Sequence, residues 1–267
     1  MNVQKYTALI RSSIIMKLQF KLSVFVQLIG NAVYLVIVYF LWKAIFASVE
    51  NGTVNGMTFN DTMIYLVLAA AMFNFMETFL VWDIGRSITS GDIILDMLRP
   101  MKYPLYMLYS AGGEMVFNFL FTFVPTAAAV WFITGGGFPL GINIVFFIVS
   151  CVLGILINFC INFFVGTICL YTQSIWGLNI MKEVIVSFLS GATIPLAFFP
   201  DKLRTVVNAL PFQTIYNTPL SILLGKETDV LRMTGLVGIQ CAWLAVLTAI
   251  TALFWKLSSK VITVNGG

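Results

Sequence analysis

Residues 115–181 read MVFNFLFTFVPTAAAVWFITGGGFPLGINIVFFIVSCVLGILINFCINFFVGTICLYTQSIWGLNIM, 67 residues between Glu114 and Lys182 without one Asp, Glu, Lys or Arg. One helical crossing of a bilayer takes about 20 apolar residues, so the stretch holds two crossings and a turn. The turn is Gly135-Gly136-Gly137-Phe138-Pro139. Barrel strands would show as short alternating segments, whereas these apolar runs are continuous. The rest of the chain agrees: of 267 residues 60% are hydrophobic and 10% charged, against about 25% charged in soluble domains. So apolar a composition also excludes disorder, which needs few apolar residues and many charges. The fold class is an all-α polytopic membrane protein, one transmembrane domain over residues 1–267.

Working outward, spans three (about 105–133) and four (about 142–170) fill the charge-free stretch. Span one is placed at 22–46. Span two, at 62–83, takes in Glu77, because only 15 residues separate Asp61 from it. Between spans one and two, the polar Glu50 to Asp61 segment reads as a short outside loop. Span five is placed at 177–199 and the last at 233–255. Residues 205–225 are uncharged but interrupted by Asn208, Pro211, Gln213, Asn217 and Pro219. Prolines free backbone groups that must find partners in lipid, so a re-entrant helical hairpin is expected between spans five and six. Residues 1–21 alternate Lys5, Arg11, Lys17 and Lys21 with Tyr6, Leu9, Ile10, Ile14 and Leu18, the pattern of an amphipathic interfacial helix. With six spans and both termini inside, ten basic residues face the cytoplasm (Lys182 among them) and five face outside, as the positive-inside rule prefers.

The absence of histidine removes His-based acid–base catalysis, Ser–His proteolysis and HExxH metalloproteolysis. Cys151, Cys160, Cys169 and Cys241 lie in apolar runs without a CxxC pair and read as small hydrophobes. The apolar run after Lys21 exceeds a signal-peptide core.

Four spans carry small or polar residues at four-residue spacing: Ser23, Gln27, Asn31; Ser110, Glu114, Asn118, Thr122, Thr126; Ser150, Gly154, Asn158, Asn162, Gly166; and Asn179, Glu183, Ser187, Gly191, Pro195. Positions four apart share a helix face, so each stripe is hidden from lipid, either as close packing or as the lining of a substrate path. Glu77 and Glu114 are the acids at membrane depth. An acid there costs about 2.5–3.5 kcal/mol on insertion scales, so each is expected to bond Asn or Ser on a neighbouring helix or to reach interfacial water.

Between spans two and three, Gly91-Asp92-Ile93-Ile94-Leu95-Asp96-Met97-Leu98-Arg99-Pro100 reads as a short amphipathic helix. Ser90 or Asp92 is expected to cap it and Pro100 to end it. Asp92, Asp96 and Arg99 share one face, and Ile94, Leu95 and Leu98 another. Such a helix suits docking to a soluble partner, or rests on headgroups.

This segment resembles the cytoplasmic coupling helix in permease subunits of type-2 ATP-binding-cassette transporters, the exporter-like branch. The basic N-terminal helix and the stretch Ser190-Gly191-Ala192-Thr193-Ile194-Pro195-Leu196 through Phe199-Pro200, Leu210-Pro211-Phe212 and Pro219 carry the same resemblance. Thr263-Val264-Asn265-Gly266-Gly267 is similar to the tail of a subgroup often encoded as paired permeases.

The resemblance implies two permeases, identical or paralogous, forming an alternating-access pathway in a bacterial inner membrane. Two ATPase subunits that bind ATP and Mg would drive it. They would dock on Asp92, Ile93, Ile94, Leu95, Asp96, Leu98 and Arg99. Spans two and five would line the pathway, giving Phe73, Asn74, Glu77, Ser187, Gly191 and Thr193 as candidates. Pro195, Phe199, Pro211 and Phe212 would form an outer gate. The chain itself has no GxxxxGK[ST] element, since Gly225-Lys226-Glu227-Thr228 lacks the upstream glycine and the hydroxyl after lysine; it is expected to bind no cofactor and to be no enzyme. Without an importer-type EAA loop, export of a hydrophobic or amphipathic compound, such as a drug or antimicrobial peptide, is the expectation. Export of a polysaccharide or lipid-linked glycan is the alternative, as is a non-transporting sensor or immunity protein.

Overall fold

The computed structural model describes residues 3–19, 21–49, 52–136, 138–172, 174–227 and 229–262. Of the residues singled out above, Glu50, Gly137, Thr228 and Thr263–Gly267 lie outside this set, as do the side chains of Lys21 and Ser23.

Helix α1 (Val3–Gln19) precedes α2 (Lys21–Ala47). Helix α1 docks on α6 (Tyr103–Asn118). Gly113 permits the approach: a Cβ there would fall 2.5 Å from the Ile10 carbonyl oxygen. Ser13 Oγ donates to the Ser110 carbonyl at 2.9 Å, and Tyr6 meets Tyr109 with ring centroids 4.6 Å apart.

Beyond α2 a tight hairpin pairs β1 (Thr53–Val54) with β2 (Met57–Thr58). Asn55 and Gly56 make its turn at φ +48° and +80°, as a two-residue loop requires. Thr58 and Asp61 then form a reciprocal capping box that starts α3 (Phe59–Met76). Helix α3 is the hub of the bundle. Its Tyr65, Leu68, Met72, Phe75 and Met76 are fully buried, against Ile157, Ile215, Tyr216 and Leu220. A break at 77–79 separates α3 from α4 (Leu80–Ser90), and α5 (Ile93–Met97) follows.

Helix α6 widens into one π turn, Phe119–Phe123, before α7 (Val124–Ile133). Pro125 explains it, having no N–H for the preceding turn and a ring that crowds it. Helix α8 (Ile142–Thr172) crosses its neighbours at its small residues. A Cβ on Gly166 would fall 3.0 Å from Ile84 Cδ1, and one on Gly154 3.1 Å from the Ile215 carbonyl oxygen. At these positions the stripe of α8 is packing.

Among the described residues, five helical runs are long and apolar enough to cross a membrane: Phe25–Ala47, Phe59–Ser90, Tyr103–Ile133, Ile142–Thr172 and Val230–Val261. The expected span at 177–199 is not one of them. Helix α9 (Trp176–Leu189) has 14 residues, about 21 Å at 1.5 Å per residue. It stops where Gly191 turns at φ +82°. A 3-10 turn (Leu196–Phe198), α10 (Asp201–Ala209), a second 3-10 turn (Phe212–Thr214) and α11 (Asn217–Leu223) then fold back into the bundle. Their backbone is met by side chains from the long helices. Gln240 Nε2 of α12 (Val230–Ser258) donates to the carbonyls of Thr214 (2.8 Å) and Ser150 (3.1 Å). Asn143 Nδ2 donates to Ile222 (2.9 Å) and Glu227 (3.1 Å).

Candidate functional site

No proline or glycine marks the break between α3 and α4, at Glu77-Thr78-Phe79. Glu77 is extended (φ −82°, ψ 127°) and its N–H donates to the Phe73 carbonyl. The carbonyls that an unbroken helix would satisfy take bonds from other helices. Asn118 Nδ2 of α6 donates to Asn74 O at 2.8 Å, and Asn158 Nδ2 of α8 donates to Met76 O at 2.9 Å. From α2, Gln27 Nε2 donates to Asn74 Oδ1 at 3.1 Å. Asn74 Nδ2 in turn donates to the Ala70 carbonyl. Polar residues of three stripes thus converge on one interruption.

The carboxylate of Glu77 is ion-paired with Lys182 of α9, whose side chain is buried. This adds to the expectation and corrects it once. Glu77 has the expected asparagine of a neighbouring helix, Asn158 of α8, and a lysine besides, and the side chain of Lys182, counted above among the inside surface charges, is buried in the bundle. Glu114 likewise pairs with Lys17 of α1 at 2.6 Å. A charged donor bonds a carboxylate more strongly than a neutral amide does.

Beside the break, a cavity of about 520 Å³ is lined by Asn31 and Tyr34 (α2), Ala70, Phe73 and Asn74 (α3), Glu183, Val184 and Ser187 (α9), and Ala192 and Thr193. Four expected pathway residues, Phe73, Asn74, Ser187 and Thr193, meet here. Gly191 and Glu77 do not line it. Gly191 lies under Tyr65, whose hydroxyl donates to its carbonyl at 3.0 Å. A Cβ on Gly191 would fall 2.8 Å from that hydroxyl, besides straining its positive φ. A second cavity, of about 340 Å³, borders Thr78, Phe79, Leu80 and Asp83 on the α4 side, with Lys17 and Glu114.

The expected outer-gate residues fall into two groups. Pro195 opens the first 3-10 turn, and Phe199 is buried with Leu196 and Val207, 5.0 Å from the Phe188 ring. Pro211 opens the second turn, and Phe212 packs on the main core instead.

At the other end, Gly91 closes α4 at φ +81°. Neither Ser90 nor Asp92 caps α5 in the expected way. The Ser90 hydroxyl donates to Asp92 Oδ2 at 2.7 Å, and its oxygen accepts the N–H of Asp92 itself. Asp96 accepts from Ser87 Oγ and Arg99 Nε, both at 3.1 Å, and Arg99 covers the Tyr106 ring at 4.6 Å. Ile93 is buried against the α4–α6–α8 core and Ile94 is half-buried beside it. Leu95 and Leu98, 64% and 75% exposed, stand outward with Asp92. The apolar face read as one surface, Ile94, Leu95 and Leu98, therefore divides: Ile94 joins Ile93 as an anchor, and Leu95 and Leu98 stay free.

Sequence reasoning missed Lys182, counted as a surface charge. It left Tyr34 unmarked and held Gln27, Asn31, Asn118, Asn158 and Glu183 only as stripe members. Their four-residue spacing was the signal, and convergence was the missing part.

No curated protein matches the chain. A family model described as ABC-2 family transporter protein matches residues 14–266, from the last turns of α1 through every element above; the chain belongs to the ABC-2 transporter family, as its permease-type membrane subunit.

Proposed function

We propose that the chain is the permease of an ATP-driven exporter. It pairs with a second permease and moves a hydrophobic or amphipathic compound, such as a drug or antimicrobial peptide, out of the cell. The observation that carries this reading is the interrupted helix of α3 and α4 beside the 520 Å³ cavity. Non-helical backbone at membrane depth is tolerated where it lines a cavity or is held by protein, and broken helices recur at transport sites.

The division of rigid parts supports a mechanism. Helix α5 is anchored to α4 through Ile93, and α4 lies against α8 at Gly166 and against Ile175, which a Cβ on Gly85 would meet at 2.5 Å. Helix α3 sits in the main core. A push on Leu95 and Leu98 therefore moves α4 with α5, and residues 77–79 absorb the motion as the hinge. In this reading two ATPase subunits bind ATP and Mg and supply the push. Both termini are cytoplasmic, and the hairpin between α9 and α12 is the re-entrant outer gate. The aromatic lining of the cavity is Tyr34 and Phe73, which suits a compact amphipath better than a glycan chain.

The test is reconstitution of the permease with any ATP-binding subunit encoded near it. Replacing Leu95 and Leu98 together by Asp is expected to lower ATP-dependent transport at least ten-fold while the permease still inserts and purifies. Unchanged transport in that variant overturns the coupling assignment. Failure of any ATPase to co-purify with the wild-type chain overturns the permease reading.

A further inference from the structure

The charges around the break do not balance. Lys182 neutralises Glu77, but the next residue, Glu183, has no cationic partner among the described residues. It is half-buried, accepts a hydrogen bond from Asn179 Nδ2 one turn back, and is, among the described residues, the sole charged one lining the 520 Å³ cavity. Glu77, Lys182 and Glu183 together leave one negative charge at the depth of a transmembrane bundle. An unpaired carboxylate in such a place is costly, and proteins that keep one there give it a partner or a wet cavity. Tyr34 and Phe73 also line the cavity, and aromatic ring faces attract cations; one face of Phe73 is taken by Tyr216, with centroids 6.2 Å apart. The cavity's volume is that of a small-molecule site.

Resting on the permease reading above, we infer that the substrate is a lipophilic cation, an apolar body carrying an ammonium, phosphonium or guanidinium centre, and that Glu183 is the residue that selects its charge. The bound cation restores neutrality beside the Glu77–Lys182 pair, and the apolar body lies against Phe73, Ala70 and Val184. An anion of the same shape gains the same apolar contact and meets the uncompensated carboxylate. The site therefore discriminates by charge at nearly constant hydrophobicity.

The test uses a pair of probes alike in shape and opposite in charge, tetraphenylphosphonium and tetraphenylborate. Saturable binding is measured on the purified permease in nanodiscs of zwitterionic phosphatidylcholine. Tetraphenylphosphonium is expected to bind saturably, and tetraphenylborate neither to bind saturably nor to displace it. Glu183→Gln, which keeps a carbonyl oxygen for Asn179, is expected to weaken the cation at least ten-fold, whereas Glu183→Asp retains most of the affinity. Equal affinity in Glu183→Gln, saturable binding of tetraphenylborate, or no saturable cation binding by the wild type each overturns the inference. The assay needs no ATPase, so the two readings fail separately. Charge-dependent binding without ATPase association leaves the cation site standing and removes the permease, and ATP-coupled transport with charge-blind binding does the reverse.

Discussion

Lys182 and Glu77 face each other inside the bundle, on α9 and at the end of α3. Taking two charges out of water is expensive, and their attraction roughly offsets that cost only while both are present. Removing one partner leaves the other buried and uncompensated, at about 3–5 kcal/mol, whereas replacing both by apolar residues of similar size is near neutral. Glu77→Gln and Lys182→Met are each expected to lose stability on that scale. Glu77→Leu with Lys182→Met is expected to recover most of it in thermal unfolding of the detergent-solubilised chain. If transport depends on the hinge, the recovered double variant will be stable and slow, because the latch between α3 and α9 is gone while the packing remains. Equal stability of the single variants and the wild type would mean that the pair is solvated in the membrane-embedded protein.

At the scale of elements, the α3–α4 interruption is made by tertiary bonds. Asn158 supplies one, to Met76 O, and Asn118 another, to Asn74 O. A carbonyl stripped of its partner in a dry interior costs about 1–3 kcal/mol, unless the backbone relaxes. Because residues 77–79 contain neither proline nor glycine, relaxation here means re-forming the helix. Asn158→Leu is therefore expected to straighten the hinge rather than merely loosen it: amide exchange at residues 77–80 should slow while transport falls. Faster exchange would assign Asn158 to packing alone. The same break shows what was legible in the sequence. Apolar length placed most of the helices, and four-residue spacing marked Gln27, Asn118, Asn158 and Glu183, because both signals survive any packing arrangement. That α2, α6 and α8 aim the first three at one break, with Glu183 on the cavity beside it, depends on helix rotation, which no single segment encodes. Lys182 was misassigned because a charge marks a membrane face only when nothing inside pairs with it. The α5 anchor was blurred for a similar reason: over five residues, helical periodicity does not separate Ile93 from Leu95.

The whole molecule turns on the number of times the chain passes from one end of the bundle to the other. Helix α9 alone, at about 21 Å, is shorter than a hydrocarbon core of about 30 Å. Its continuation nevertheless ends beside the first hairpin, where Asn55 Nδ2 donates to the Ala197 carbonyl at 2.7 Å. Its start follows Ile175, packed on Gly85 of α4, near the opposite end of the α3–α4 run. Residues 176–197 thus run from the Ile175–Gly85 contact to the Asn55–Ala197 contact as a short helix extended by a turn that Gly191 and Tyr65 pin. Counted as a passage, this run would make six and return the C-terminus to the side of α1, whereas five would place Lys256 and Lys260 opposite Lys5 and Arg11, against the positive-inside bias. Single cysteines at positions 55, 92, 202 and 260, in a background with the four native cysteines replaced, decide it. A membrane-impermeant maleimide is expected to label Asn55→Cys and Lys202→Cys in intact cells, and Asp92→Cys and Lys260→Cys only after permeabilisation. Labelling at 260 in intact cells would make the number of passages odd, and the cavity beside α9 would then not belong to a pathway built on six.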